Sequence, residues 1–294
     1  MIISFARYQM RDHGGMTGVS ITERLFGRAD PGDRGGQETD ATVSRKAVTL
    51  AQQGQFGEAI ACFDRVLAED PANVKMWNNK GVFLDLLGRD QDALDCWEKA
   101  LSIDPGFAPA WVSRGMLHRR RNRFDEALAC YDRAVELNPD STVAWYNRSG
   151  IFVAQRRLDE AVACYERVLA LDPHFVAAWT DLGYARFLQH RHEDAIACYD
   201  RAIADDPGSV RIWSLKGGAL YALGEYRKAL ECFDRVLAID PKYAAGWSMK
   251  CSVLYHLGMY RHALACADKA LEINPTCELT TQVRRMLVGL IEKW

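Results

Sequence analysis

The chain has 294 residues, 49% of them hydrophobic and 26% charged, with a formal net charge of −2. This soluble composition lacks the global basic field that dominates nucleic-acid affinity, so DNA is not expected as a partner. No apolar run approaches the roughly 18 residues of a membrane span, and Arg7 and Arg11 follow Met1-Ile-Ile-Ser-Phe-Ala too soon for a secretory h-region, so a cytoplasmic protein is expected.

Residues 1–39 hold seven of the 22 glycines, five arginines against five acidic residues, and no sustained periodicity. Disorder is expected there, with room for a short helix near Ile21 to Phe26.

From Asp40 the sequence becomes periodic. Pro71, Pro105, Pro139, Pro173, Pro207, Pro241 and Pro275 are spaced by 34 residues. Trp77, Trp111, Trp145, Trp179, Trp213 and Trp247 keep that step, as do Cys62, Cys96, Cys130, Cys164, Cys198, Cys232 and Cys266. Twenty of the 26 residues of these three types therefore sit at fixed phases, which excludes a single aperiodic core as the main architecture. Counting Asp40 as position 1, seven units fill residues 40–277.

The second half of each unit, for example ALACYDRAVELNP from Ala127, is apolar at positions 20, 21, 24, 27 and 28, the stripe of an amphipathic helix. Asp-Arg or Glu-Lys pairs at positions 25 and 26 mark its solvated face. Asp or Asn at 31 followed by Pro at 32 stops the helix. The first half carries Trp at 4, a small residue at 8 and an apolar residue at 10, again helically spaced. Near position 15, Gly54, Gly88, Gly224 and Gly258 supply the left-handed residue of a turn. Small residues at 8 and 20 are expected to face each other, so that each unit is a close-packed αα-hairpin.

The cysteines number nine and form no CxxC or Cys/His cluster. Equivalent positions in neighbouring helices, roughly 8–10 Å apart, exceed disulfide reach, so these are expected to be free, buried thiols.

With these residues in place, the sequence resembles the tetratricopeptide repeat family. Trp77, Gly81, Ala93, Trp97, Ala100 and Pro105 match the family pattern, and Trp111, Gly115, Ala127, Tyr131, Ala134 and Pro139 repeat it. The departures are Val43 in place of the first Trp and Ala267 in place of the last position 24 aromatic, as expected where one neighbour is missing. The resemblance implies an all-α, right-handed superhelical solenoid of antiparallel helix pairs that binds protein or peptide segments.

After Pro275 the period breaks. Leu279, Val283, Met286, Leu287, Leu290, Ile291 and Trp294 form one stripe, read as the buried face of a capping helix over residues 278–294, with a partner-binding helix as the alternative.

Nothing points to catalysis, a cofactor or a metal. The seven histidines have no triad-like local signature, and GxGxxG, GxxxxGK[ST] and HExxH are absent. Function is expected where the units differ, at positions 2, 5, 9, 12 and 13, a stripe that the resemblance places on the concave face. Tyr146, Tyr184, Phe187, Tyr221, Tyr255 and His256 fall on it, and such rings are effective binding anchors. The competing reading has the position 12 rings packing only against the next repeat.

A second feature is a run of cations that includes Arg119, Arg120, Arg123, Arg156 and Arg157. It reads either as an edge for RNA or a phosphorylated or acidic segment, or as a solvated face neutralised by Asp125, Glu126, Asp159 and Glu160. RNA is disfavoured because related RNA-reading repeats are more basic. The carboxylate clamp that the family uses on chaperone tails is not matched: Asn79 and Asn147 sit at position 6, but Ser44, Val48, Pro109 and Ser113 stand where the other clamp residues of the first would be. The sequence thus predicts a non-catalytic scaffold for a protein or peptide partner.

Overall fold

The computed structural model describes residues 40–292, and all regular structure among them is α-helical. The expected disorder of residues 1–39, the short helix near Ile21 and the placement of Trp294 lie outside the described residues.

The described helices fall into two compact units that divide between Arg156 and Arg157. The first contains α1 (Asp40–Gln52), α2 (Phe56–Glu69), α3 (Val74–Leu86), α4 (Asp90–Ile103), α5 (Ala108–Arg120), α6 (Phe124–Leu137) and α7 (Thr142–Ala154). The second contains α8 (Leu158–Leu171), α9 (Val176–Leu188), α10 (His192–Asp205), α11 (Val210–Ala222), α12 (Tyr226–Ile239), α13 (Ala244–His256), α14 (Tyr260–Ile273) and α15 (Glu278–Ile291). Within each unit the elements form antiparallel hairpins, and each second helix also packs on the first helix of the next hairpin.

Helix boundaries follow local chemistry. Each second helix is capped by the Asp or Asn before Pro; Asp104, for example, sits at φ −133° and ψ 97°, because the following Pro105 disfavours helical geometry there. The capping carboxylate then folds forward: Asp104 Oδ1 accepts the Gly106 N–H at 2.8 Å, and Asp240 Oδ1 that of Lys242 at 2.9 Å, an Asx turn that fixes the linker. Within the hairpins the turn residue is left-handed throughout. Gly54, Gly88, Gly224 and Gly258 take it freely, whereas Asn122, Arg156 and His190 are held at φ 57°, 61° and 61°, a conformation that costs a Cβ-bearing residue about 1–2 kcal/mol.

The Trp and Pro of the repeat pattern form one device. In all six hairpins that carry it, the Trp indole donates to the carbonyl of the Pro six residues earlier, from 3.0 Å for Trp77 to Pro71 to 2.9 Å for Trp247 to Pro241. A cation at position 7 sits over the ring, with Lys80 5.4 Å from the Trp77 centroid, Arg148 5.3 Å from Trp145 and Lys250 5.6 Å from Trp247. The same cation reaches back to the position 25 carboxylate of the preceding repeat: Lys80–Asp64 at 2.5 Å, Arg148–Asp132 at 2.7 Å and Lys250–Asp234 at 2.6 Å. The acids Asp64, Asp132, Asp200 and Asp234 at position 25 are thus not merely solvated; they close repeat-to-repeat clamps. Repeat 5 has Leu182 at position 7, and Arg186 one turn later takes Glu166 at 2.8 Å.

The expected contact between positions 8 and 20 is only part of the packing. The small residue at 8 lies chiefly under the ring at 24: a Cβ on Gly115 would be 2.7 Å from Tyr131, and one on Gly183 2.6 Å from Tyr199. Those rings are fully buried, as are Trp97, Phe63 and Phe233. The seven in-phase cysteines are buried free thiols. Burial pushes Cys96, Cys130, Cys198 and Cys232 up to about 11 and Cys251 to about 12.

Candidate functional site

First helices of successive repeats lie side by side within each unit and carry the variable stripe on one shared face. The seam between them is polar. In the first unit Asn79 donates to Ser44 at 3.0 Å and Ser113 to Asn78 at 3.3 Å, a buried network stitching α1, α3 and α5. In the second, Arg211 on α11 pairs with the nearly buried Asp181 on α9 at 2.6 Å, and the Ser248 and Thr280 hydroxyls meet at 2.9 Å between α13 and α15. Sequence reasoning met Asn79, Ser44 and Ser113 only as a mismatch to the chaperone-tail clamp; the signal of the seam is a polar side chain at position 5 or 6, as in Ser44, Asn78, Asn79, Ser113, Asp181 and Ser248.

The aromatic residues of the stripe do not share one environment. Tyr146, in the first unit, is buried and leaves only 8% of its surface exposed. In the second unit Tyr184, Phe187, Tyr221 and Tyr255 are half-buried, and His256 is exposed. The position 12 rings do border the core. Phe187 packs on the cluster of Ala195, Tyr199, Ile212 and Ala219, and Tyr221 and Tyr255 pack on the corresponding clusters of the next two repeats. Each also keeps an open edge and meets a ring from position 17 across the hairpin: Phe187–His192 at 5.0 Å, Tyr221–Tyr226 at 5.6 Å and Tyr255–Tyr260 at 5.7 Å between centroids.

His256 joins these pairs. Its ring stacks on Tyr226 at 4.8 Å and 7° and takes the rings of Tyr221 and Tyr255 nearly perpendicular, each at 5.4 Å. A continuous chain of five rings therefore crosses from repeat 6 to repeat 7. Tyr226, Tyr260 and His192 were absent from the sequence-based candidates; position 17 also carries a ring in Phe56 and Phe124, so an aromatic residue there does not by itself mark the chain. Beside the chain, Gly218 at position 9 leaves a notch, since a Cβ there would meet nothing within 4 Å.

The C-terminal helix α15 buries only part of its apolar stripe. Val283 and the fully buried Leu287 pack on Cys251, Leu254 and Ala267, but Leu279 and Met286 are 46% and 44% exposed. At 100° per residue they lie well around the helix from Leu287, so the apolar stripe is not one buried face. Glu278 falls where a further repeat would begin, which puts Leu279 and Met286 at positions 2 and 9.

The arginine run is largely tied down. Arg120 bridges the buried Asp85 at 2.7 Å and Asp90 at 2.6 Å, and Arg121 takes the other oxygen of Asp90 at 2.9 Å. Arg157 pairs with Glu160 at 2.9 Å. The Arg119 guanidinium covers Gly150, where a Cβ would be 3.3 Å from it. Arg123 and Arg156 are exposed at the hairpin turns. The carboxylates that bind Arg120 and Arg121 come from the preceding repeat, not from the Asp125 and Glu126 expected to neutralise them. His118, beside this run, is buried, and desolvation followed by the nearby Arg114 lowers its pKa.

A separate cleft of about 860 Å³ lies among α10, α11 and α12, lined by Trp213, Cys232, Asp200, Lys216, Glu225 and Lys228. Four of its charged residues pair with one another, Lys216–Asp200 at 2.5 Å and Lys228–Glu225 at 3.2 Å. Among the described residues no group of three or more His, Cys, Asp or Glu could hold a metal ion, and no helix is long and apolar enough to cross a membrane.

Comparison with known families agrees with this geometry. The model described as tetratricopeptide repeat matches residues 45–106, 112–174, 151–210, 180–244 and 214–276, well over half of the chain. The chain belongs to the tetratricopeptide repeat family. Among solved structures, this tetratricopeptide repeat protein is similar to the C-terminal part of a repeat protein from Cytophaga hutchinsonii, with TM-score 0.66 and 15% identity over 82% of this chain and 98% of that one. It is also similar to PilW, a type IV pilus biogenesis factor, with TM-score 0.61 and 24% identity over 72% of this chain and 96% of that one. A third is YrrB, described as a TPR protein with an unusual peptide-binding site, with TM-score 0.57 and 23% identity over 64% of this chain and 97% of that one. Search of the curated proteins gives no match. At these identities the likeness establishes the fold, an α-solenoid of antiparallel helix pairs.

Proposed function

We propose that this tetratricopeptide repeat protein is a non-catalytic, cytoplasmic scaffold that binds a peptide segment on the first-helix face of its second unit. Membership of the family supports a protein-interaction role in general. The finer reading rests on one observation: the half-exposed ring chain of Tyr221, Tyr226, His256, Tyr255 and Tyr260. Rings already locked against each other lose little entropy on binding, so a partner's apolar side chain gains contact area at low cost. Tyr184 and Phe187 extend the surface, and the Gly218 notch admits a side chain beside it. Tyr146 contributes little, because it is buried. The description of YrrB as a peptide binder is consistent with this use of the fold. An RNA- or phosphopeptide-binding edge is the weaker reading, because Arg120, Arg121 and Arg157 are engaged with carboxylates.

The test is selection of a random peptide library on the immobilised protein. Wild type should enrich sequences with apolar anchors, and the Tyr184→Ala, Tyr221→Ala, Tyr255→Ala triple variant should lose them while keeping its helical circular dichroism. Equal enrichment by both proteins would sink the groove.

A further inference from the structure

The exposed side of α15 carries information that the peptide groove does not use. Leu279 and Met286 project from it two turns apart, about 10.5 Å along the axis, with Gln282 between them on the same side. The orientation is fixed from behind: Leu287 is fully buried, Val283 packs on the last repeat, and Arg284 pairs with Asp268 at 2.6 Å. Glu278 and Arg285 each precede one of the apolar residues by one position, so both lie on the same flank of the stripe. Both are exposed, and neither is in an ion pair among the described residues.

This arrangement is complementary to itself. If two α15 helices pair antiparallel about a two-fold axis, Leu279 of each opposes Met286 of the other. The axis maps each flank onto the same side of the pair, so Glu278 of one copy comes beside Arg285 of the other, twice. Gln282 falls next to the axis, where its amide can both donate and accept. No like charges are brought together. A two-fold contact requires that residue i meets j while j meets i, and here both the apolar and the charged pairs meet that condition. We infer that α15 is a homodimerisation helix, and that its partner is the same helix of a second copy of this chain. The interface is small, so the dimer is weak and concentration-dependent.

Light scattering and sedimentation equilibrium on the full chain test this inference without any peptide partner. The mass should rise with concentration from the chain value of 33.1 kDa toward twice that value. Met286→Glu should hold it at the monomer mass with unchanged circular dichroism. Glu278→Arg and Arg285→Glu should each weaken the dimer by about tenfold or more through like-charge contacts. Mixing those two variants should restore it as a heterodimer, because each then supplies the charge the other lacks. A chain that stays monomeric up to millimolar concentration, a dimer that survives Met286→Glu, or a mixture that fails to recover would each overturn the inference.

Discussion

Gly81 lies beneath the indole of Trp97 so closely that a Cβ at position 81 would sit 2.5 Å from the ring nitrogen. The same pairing recurs between Gly217 and Phe233, at 2.8 Å. Repeat 7 inverts it, with Cys251 at position 8 and Ala267 at position 24, both buried. The larger side chain of the pair thus moves from position 24 to position 8, with less side-chain volume in total.

Gly217→Ala is expected to destabilise the protein. Helix propensity favours alanine by about 1 kcal/mol, but overpacking against Phe233 costs about 1–3 kcal/mol. Phe233→Ala alone should cost about 3–5 kcal/mol through the cavity it leaves. Combining Gly217→Cys with Phe233→Ala reproduces the repeat 7 solution and should recover part of that loss. Thermal unfolding of Gly217→Cys, Phe233→Ala and their combination checks the coupling, and strict additivity would contradict it.

Arg120 holds the buried Asp85 at 2.7 Å and Asp90 at 2.6 Å. Arg120→Glu should therefore lower stability by at least about 1–3 kcal/mol, because it places a carboxylate against two others. Arg123→Glu, at an exposed turn, should leave unfolding within about 0.5 kcal/mol of wild type. Denaturant titration separates the two; equal effects would return Arg120 to the surface-patch reading.

The left-handed turn residues predict gains. Arg156→Gly and His190→Gly remove a Cβ from φ 61° and should each stabilise the protein by about 1 kcal/mol, less the extra chain entropy that glycine brings to the unfolded state. The reverse change, Gly224→Ala at φ 79°, should destabilise it. Calorimetry on the three variants gives the signs.

Buried thiols raised to about 11 in Cys96, Cys130, Cys198 and Cys232 should react with a thiol reagent near pH 8 on the timescale of unfolding. The half-exposed Cys277 should react first. The folded state holds these protons where the unfolded chain, with thiols near 9.0, releases them. Stability is thus complete below pH 9 and falls as pH rises through 11. A melting temperature flat across that range would contradict the burial of the row.

The hairpin pattern was legible because each of its residue types answers to a local rule. Pro after Asp ends a helix by steric conflict with the preceding residue, and glycine at the turn takes a left-handed conformation, so Asp104-Pro105 and Gly88 announce their geometry without any partner. The aromatic stripe was legible only in part. Tyr184, Phe187, Tyr221, Tyr255 and His256 were found from heterogeneity between repeats. Tyr226 and Tyr260 were missed, since their meeting with position 12 depends on how the two helices of a hairpin face each other.

Periodicity by itself determined the helix pairs, their boundaries and the family, because 34-residue spacing and helical stripes are properties of one chain segment at a time. The tertiary structure decided which polar groups are spent. Arg120 reads in the sequence either as part of a binding edge or as neutralised within its own repeat, and proves to be a link to the preceding repeat. Leu279 and Met286 read as buried and prove to be exposed, because the rotation of α15 about its axis is set by Leu287 and by the Arg284–Asp268 pair. Distances between residues some 16 to 35 positions apart fixed those outcomes, and no local rule encodes them.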